Sequence, residues 1–457
     1  MSIEEYLKNH RSELLDELFS LLRIPSISAK PDHHDFMLQC AEKWRSLLLG
    51  AGVDTAEIFP TDGNPIVFAR KDINPDLPTI MIYGHYDVMP AEPLELWDTE
   101  PFEPQIIDGH IVCRGADDDK GQSFMHYAVF KYLMSEGKVP CNIHFILEGE
   151  EEIGSPNLET FCKTHKDMLK ADIILVSDTS MLSADCPSIT TGLRGLGYWE
   201  IEVSSADRDL HSGIFGGAIA NPINELCRII SKLQDEYGKI LVPHFYDDVD
   251  EISTEERELI NDTPFSADEY LRAIGADELH GEMGYNTLER TGVRPTFDVC
   301  GIWGGYTGEG SKTVLPAKAY AKLSCRLVPH QTYDKISPLM QEYIESISPS
   351  YVKVKVTPLH GAEAYVCPIN MPEYKATERA YERTFGKRPF PVRRGGSIGV
   401  VAVFEQVLGI KSILMGFGLE SDQIHSPNEN YPLYMWENGI KTIAAFYEEN
   451  FKSQEQG

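Results

Sequence analysis

Positive charge is scarce in this chain. Lys and Arg number 41 against 71 Asp and Glu, a formal net charge of −30 at pH 7. A surface of that sign repels phosphate backbones and anionic lipid, so no nucleic-acid or membrane partner is expected. Long apolar runs are missing as well: none approaches the ~18 residues that a transmembrane helix requires. The opening stretch MSIEEYLKNHRSELLDELFSLL has no basic segment leading into an apolar one, and no secretory signal is read there. Cysteine pairs are lacking. The nine cysteines form no CxxC motif. An odd, scattered set in a large chain suits the reduced thiols of a cytoplasmic protein better than a disulfide framework. Internal repeats and low-complexity segments are absent too, which sets aside solenoids and disordered chains.

What remains is an ordinary globular composition, 42% hydrophobic and 25% charged, over 457 residues. That length exceeds what one hydrophobic core usually supports, so two domains are expected. The first helix is marked by Ser2 and Glu5 as a capping box. Leu7, Leu14, Leu15, Leu18, Phe19 and Leu22 follow at helical spacing, and Ile24-Pro25-Ser26 stops the helix. Four short apolar runs then end in polar residues or glycine: 79–83 before Gly84-His85-Tyr86-Asp87, 143–147 before Glu148-Gly149-Glu150-Glu151-Glu152, 173–176 before Ser177-Asp178, and 413–415 before Gly416-Phe417-Gly418. Near-continuous apolar runs separated by helical stretches read as buried parallel strands. In open α/β sheets, ligands bind beyond the carboxyl ends of such strands, where three of these runs place His, Glu or Asp.

The middle of the chain has a different texture. Residues 198–203 and 318–327 alternate apolar with polar, as strands with one wet face do. Asn221-Pro222 starts a helix, with Asn as cap and Pro in the first turn. A helix near 337–347 and a strand near 352–356 complete a β-α-β-β-α-β pattern, that of a smaller α+β domain inserted into the α/β domain. Residues 246–296 read as an acidic, mostly helical insertion. The helix-strand alternation resumes near Met371, with helices at 373–385 and 435–451. The expected plan is therefore residues 1–190 and 371–457 as the two parts of one domain, with 191–370 inserted between them.

Several groups can carry chemistry. His85 and Asp87, two apart on a strand, point to the same side, so one can bind a metal while the other accepts its remaining ring proton. Taken alone, the pair reads equally as a structural histidine. The stretch Arg114-Gly115-Ala116-Asp117-Asp118-Asp119-Lys120-Gly121 sets three adjacent carboxylates together, which repel unless water or cations neutralise them. In Glu150-Glu151-Glu152, one Glu can bind metal while its neighbour acts as base; a solvated helix start is the plainer account. Asp178 can be a ligand or a helix cap, and His425 lies in a polar loop, His425-Ser426-Pro427-Asn428-Glu429. Together they supply two histidines and several carboxylates, a set that suits zinc or manganese.

Nine elements, GHYDV, GADDDKG, EGEEEIGS, SDT, LHSGIFGG, SKTVLPAK, CRLVP, RRGGSIG and HSPNEN, occur in order between residues 84 and 430. In this form and order the chain resembles the M20 family of metallopeptidases, and specifically its dipeptidase branch. The resemblance implies a zinc-peptidase-like catalytic domain of α/β class with a mostly parallel central sheet, plus an inserted α+β lid and dimerisation domain. It implies two divalent ions, zinc first, with manganese equally accepted by such ligands.

By that resemblance, His85 and Asp178 bind one ion, Glu152 and His425 the other, and Asp118 bridges both. The family usually has a small residue or Thr where this chain has Asp117; alignment on Lys120-Gly121 selects Asp118, and the peptide bond after it is expected to be cis. Alignment on Gly154-Ser155 makes Glu151, rather than Glu150, the implied general base. Asp87 is the implied partner of His85. His211 is implied in oxyanion stabilisation, with Thr313, Arg326 and Ser397 at the substrate; Arg326 and Ser397 are the implied carboxylate contacts. His211 and Thr313 are implied to serve the neighbouring subunit of a homodimer. The implied reaction is hydrolysis of dipeptides or other short peptides. The alternative within the family is deacylation of N-acyl amino acids or desuccinylation.

Overall fold

The computed structural model describes residues 1–396 and 398–452, which divide into two compact units. Unit 1 comprises residues 1–191, 367–391 and 400–457; unit 2 comprises 192–366 and 392–399. The 392–399 segment interrupts the second part of the α/β domain. It belongs to unit 2, where Arg393 donates to Glu256 at 2.8 Å.

Unit 1 is built on a mixed sheet. Its centre is four parallel strands, in the spatial order Asn142–Glu148, Thr79–His85, Ile173–Val176 and Ser412–Leu414. These are the apolar runs read from the sequence, and almost every residue in them is buried. The flanks are antiparallel. Ile66–Lys71 pairs antiparallel with Asn142–Glu148 and with Thr55–Phe59, and Ser188–Leu193 pairs antiparallel with Ser412–Leu414. The sheet is thus parallel at its centre only, rather than mostly parallel. The connection 60–65 is short enough for an antiparallel return, whereas parallel neighbours need a crossover of a dozen or more residues.

Three helices explain how the strand ends are held. Ile3–Leu22 is capped by Ser2, whose Oγ accepts the Glu5 N–H at 3.3 Å. Lys120–Glu136 is buried along most of its length. Its first residue, Lys120, is fully buried and donates through Nζ to the carbonyls of Leu21 (3.1 Å) and Ile24 (2.8 Å). The cation adds a second donor to carbonyls at the end of the first helix and just past it, which also accept the N–H groups of Ile24 (to Leu21) and Ser26 (to Ile24). Leu433–Phe451 closes the unit with Trp436, Ile440, Ile443 and Phe446 in the core. No helix of the described residues is long and apolar enough to cross a membrane.

Unit 2 carries the β-α-β-β-α-β pattern. Its sheet is antiparallel throughout, in the order Thr296–Gly304, Lys318–Leu327, Gly195–Ser204, Lys353–Ala362. Gly195–Ser204 alternates strictly between buried and partly exposed. Its buried side chains, Trp199, Ile201 and Val203, pack with Leu226 and Ile229 of the helix Pro222–Ile230 and Ile336, Met340 and Ile344 of the helix Tyr333–Ile347. The second helix starts four residues before the expected Ser337. Thr332 caps it, and Ser337 turns inward to accept from Trp199 Nε1 at 2.9 Å. The acidic insertion is less helical than expected: three short helices, Thr254–Asp262, Ala267–Ile274 and Thr287–Gly292, are separated by loops. Gly275, Gly281 and Gly284 sit at positive φ between the last two, a geometry that does not continue a helix.

Candidate metal centre

The centre forms where the parallel strands of unit 1 end. His85 is the last residue of Thr79–His85, and Asp178 follows Ile173–Val176 by two residues. Glu151 and Glu152 open a short 3-10 turn just beyond Asn142–Glu148. Asp118 precedes the helix Lys120–Glu136, and its peptide bond to Asp119 is cis, as the alignment anticipated. His425 comes from the loop before the strand Asn430–Pro432 and takes a left-handed φ of 61°.

The two oxygens of Asp118 face different histidines. Oδ1 lies 3.1 Å from His85 Nε2, and Oδ2 lies 2.9 Å from His425 Nε2. Asp178 Oδ2 is 4.0 Å from His85 Nε2, and Glu152 Oε2 is 3.2 Å from His425 Nε2. Two groups result, His85–Asp118–Asp178 and Asp118–Glu152–His425, each with donor atoms within 4.8 Å of one another. Asp118 belongs to both. The donors are imidazole nitrogens and carboxylate oxygens, the chemistry that divalent zinc and manganese accept. The residues therefore fit a pair of ions sharing one carboxylate.

The electrostatics reflect the crowding. Burial, reinforced by Asp119, Asp118 and Glu151, raises Asp178 well above the carboxylate range. Burial also pushes Glu151 up to about 8; His85 opposes this, while Asp118, Asp87 and Glu152 add to it. Burial and Asp118 raise Glu152. Burial works against ionisation of Asp118 too, yet hydrogen bonds from His425 and His85 hold its carboxyl below the ordinary range. His425 is raised to about 10 by its bonds to Asp118 and Glu152. Anions packed this closely call for cations.

Asp87 is fully buried and has two tasks. It faces His85 Nδ1 through Oδ1 at 3.3 Å and through its backbone carbonyl at 3.1 Å. It also accepts the N–H groups of Glu151 (3.2 Å) and Glu152 (3.1 Å), which the His85 pairing alone did not suggest. Glu150 is engaged elsewhere, accepting from the Asn64 N–H and from Asn157 Nδ2. Asp117 is buried away from the histidines, its carboxyl raised by burial and by Asp422. Asp119 accepts the His85 N–H at 3.1 Å and a bond from Ser123 Oγ. Glu429 lies in the HSPNEN motif, which by itself implies no task for it. It is fully buried and accepts from Arg114 and from the N–H groups of Gly115, Asp117 and Asp118.

Three of the remaining candidates lie in unit 2. His211 and Thr313 are brought beside each other by a two-stranded ribbon, Leu210–His211 with Val314–Leu315, and the Ser212 N–H donates to the Thr313 carbonyl at 3.1 Å. His211 is exposed, and its Nδ1 accepts the Gly213 N–H at 3.0 Å. Arg326 is on Lys318–Leu327, opposite Thr296 and Leu196. Ser397 lies outside the described residues.

Histidines and carboxylates converging at the carboxyl ends of parallel strands, with one carboxylate common to two ligand groups, define a metal-dependent hydrolase with a two-ion centre. Residues 81–449 match Peptidase family M20/M25/M40, and the chain belongs to that family: it is a metallopeptidase. It is 31% identical over 465 residues to the Beta-Ala-His dipeptidase of Rattus norvegicus, covering 97% of this chain and 94% of that protein. It is 32% identical over 461 residues to the Cys-Gly metallodipeptidase dug1 of Schizosaccharomyces pombe, covering 97% of both. Among solved structures, the M20 family metallo-carboxypeptidase Sso-CP2 of Sulfolobus solfataricus superposes with a TM-score of 0.87 at 32% identity, covering 96% of this chain and 99% of that one.

Proposed function

We propose that this metallopeptidase hydrolyses dipeptides and other short peptides in the cytoplasm. His85 and Asp178 would hold one zinc ion and Glu152 and His425 the other, with the Asp118 carboxylate common to both groups. The observation that carries this reading is the division of the Asp118 carboxylate, one oxygen toward each histidine. Zinc is preferred to manganese as the resident ion, although the donor set accepts both. The names of the rat and fission-yeast relatives support dipeptides as substrates, and the relatives do not favour the deacylase alternative. One second reading has support. The Sulfolobus protein is described as a carboxypeptidase, so removal of a carboxyl-terminal residue from longer peptides is the rival.

When bound, two such ions supply Lewis acidity and bring the pKa of a water toward neutrality. The chain's own residues do the rest. Glu151 takes a proton from the attacking water and passes it to the leaving amine nitrogen. Asp87 fixes the His85 ring and the backbone of Glu151 and Glu152, so ligand and base are positioned together. His211 donates to the carbonyl oxygen as negative charge develops. Arg326, with its planar fork, holds the substrate carboxylate together with Ser397, and Thr313 adds a contact. A free carboxylate near the scissile bond then selects dipeptides over long chains.

Residues 1–190 and 371–457 form the proposed catalytic domain, with 191–370 as lid and dimerisation domain of a homodimer. Supporting the dimer, Thr296–Gly304 is an edge strand that exposes Val299, Ile302 and Trp303. Supporting a reducing compartment, all nine cysteines are free. Metal analysis of dialysed protein tests the ligand assignment. The wild type retains two ions per chain, His425→Ala about one, and Asp118→Ala neither tightly. Two firmly held ions in Asp118→Ala reject the bridge. Comparing dipeptides with four-residue peptides of the same carboxyl-terminal residue separates the two substrate readings.

A further inference from the structure

Asp118 can face two histidines only if its backbone is fixed. The segment 113–118 leaves the strand His110–Val112, and Gly115 within it takes a φ of +82°; this turn pairs the Ala116 N–H with the Cys113 carbonyl at 3.1 Å but not the N–H groups of Gly115, Asp117 and Asp118. Those three N–H groups point at one carboxylate. Glu429 Oε1 accepts from Asp117 at 3.1 Å and from Asp118 at 3.2 Å. Its Oε2 accepts from Gly115 at 3.0 Å and from Arg114 Nη1 at 2.8 Å. Arg114 is 1% exposed, and its other arm donates to the Pro90 carbonyl at 3.1 Å. The four donors fill the four acceptor positions of a carboxylate.

Glu429 is also four residues beyond His425 and adjoins the strand Asn430–Pro432, which pairs with His110–Val112. Its carbonyl accepts the Cys113 N–H at 3.0 Å. One residue thus ties the loop that carries His425 to the loop that carries Asp118.

We propose that Glu429 is a positioning residue for the metal centre, its buried carboxylate setting the place of Asp118 relative to His425. The proposal rests on the two-ion reading above. Only a carboxylate can do this. Glutamine keeps the volume, but it turns an N–H₂ toward donors and leaves two of the four N–H groups without an acceptor. Aspartate keeps the charge but falls one methylene short.

The test is titration of metal-free protein with Zn²⁺ by calorimetry and with Co²⁺ by visible absorption, in wild type, Glu429→Gln and Glu429→Asp. In both variants the ion held by His425 and Glu152 binds about tenfold to 100-fold more weakly. The Co²⁺ spectrum changes, kcat falls with little change in KM, and activity returns as metal is raised. Far-UV circular dichroism establishes that the variants are folded. If Glu429→Gln does not fold, Glu429→Asp alone decides. Two ions bound with wild-type affinity and an unchanged Co²⁺ spectrum in a folded variant overturn the proposal. A wild type that takes up no second ion overturns the two-ion reading itself, and the positioning role with it.

Discussion

Asp87 shows how much one buried carboxylate can set. It faces the His85 ring and receives the backbone of Glu151 and Glu152, so its loss disturbs two proposed ligands and the proposed base together. Asp87→Ala is expected to weaken metal binding about tenfold to 100-fold, read by titration of the metal-free protein. Glu151→Gln has a different signature. It leaves both ligand groups intact, so metal content stays at the wild-type level while kcat falls by about 10²–10⁴-fold. Near-normal turnover in that variant removes Glu151 from the role of base.

His126 sets a pH limit on stability. Its Nε2 lies 2.7 Å from Ser177 Oγ, and the single proton of that hydroxyl is given to the Met415 carbonyl at 2.8 Å. Nε2 must therefore be the protonated nitrogen, and the buried Nδ1 has no acceptor for a second proton. Burial lowers the folded value to about 3, from an ordinary 6.5. Between those values the unfolded chain binds more protons than the folded one. Stability from this group is fully present above pH 6.5 and is lost as pH falls toward 3. Urea unfolding of wild type and His126→Gln across that window is expected to show a shallower pH dependence in the variant.

At the scale of elements, the join between the 113–119 segment and the helix Lys120–Glu136 has no slack. A Cβ on Gly121 would stand 1.7 Å from the Ala116 carbonyl oxygen, a backbone atom that cannot move aside without displacing Asp118. Gly121→Ala is expected to cost at least about 1–3 kcal/mol, read as a lower thermal midpoint, and to reduce metal content.

The same elements show what the sequence makes visible. Buried parallel strands read out directly because both of their faces are apolar, so 79–83 and 143–147 declare themselves without any partner. The antiparallel flanks do not, because strand direction depends on connections and pairing that no single run contains. The helix Tyr333–Ile347 is misjudged at its start because Ser337-Pro338 has the form of a cap and a first turn; the real cap is Thr332, with Pro338 inside the helix. The histidines and acids of the centre are visible as a set through their motifs. The second task of Asp87 and the burial of Glu429 are not. Glu429 meets Asp118 across 311 positions of sequence, and its own neighbours describe only a polar loop.

At the scale of the molecule, the formal charge of −30 is not all surface. Asp87 is fully buried, and Asp118 and Asp178 are largely so, at 13% and 15% side-chain exposure. Folding brings these acids together, and cations relieve the repulsion. Chelation is therefore expected to lower the thermal midpoint. Re-addition at about 100 times the dissociation constant restores about 2.7 kcal/mol per independent site. The edge strand Thr296–Gly304 gives a second expectation. Trp303→Asp or Ile302→Asp shifts the mass measured by light scattering from dimer to monomer, while a wild type that is monomeric at all concentrations rejects the dimer.

The central claim, that this fold hydrolyses short peptides with two divalent ions, is tested most directly by one assay. Purified protein is offered a panel of dipeptides and N-acyl amino acids as isolated, after chelation, and after return of Zn²⁺ or Mn²⁺. The account predicts dipeptide cleavage that chelation abolishes and metal restores. Cleavage of acyl amino acids alone, or dipeptide cleavage indifferent to chelation and metal, contradicts it.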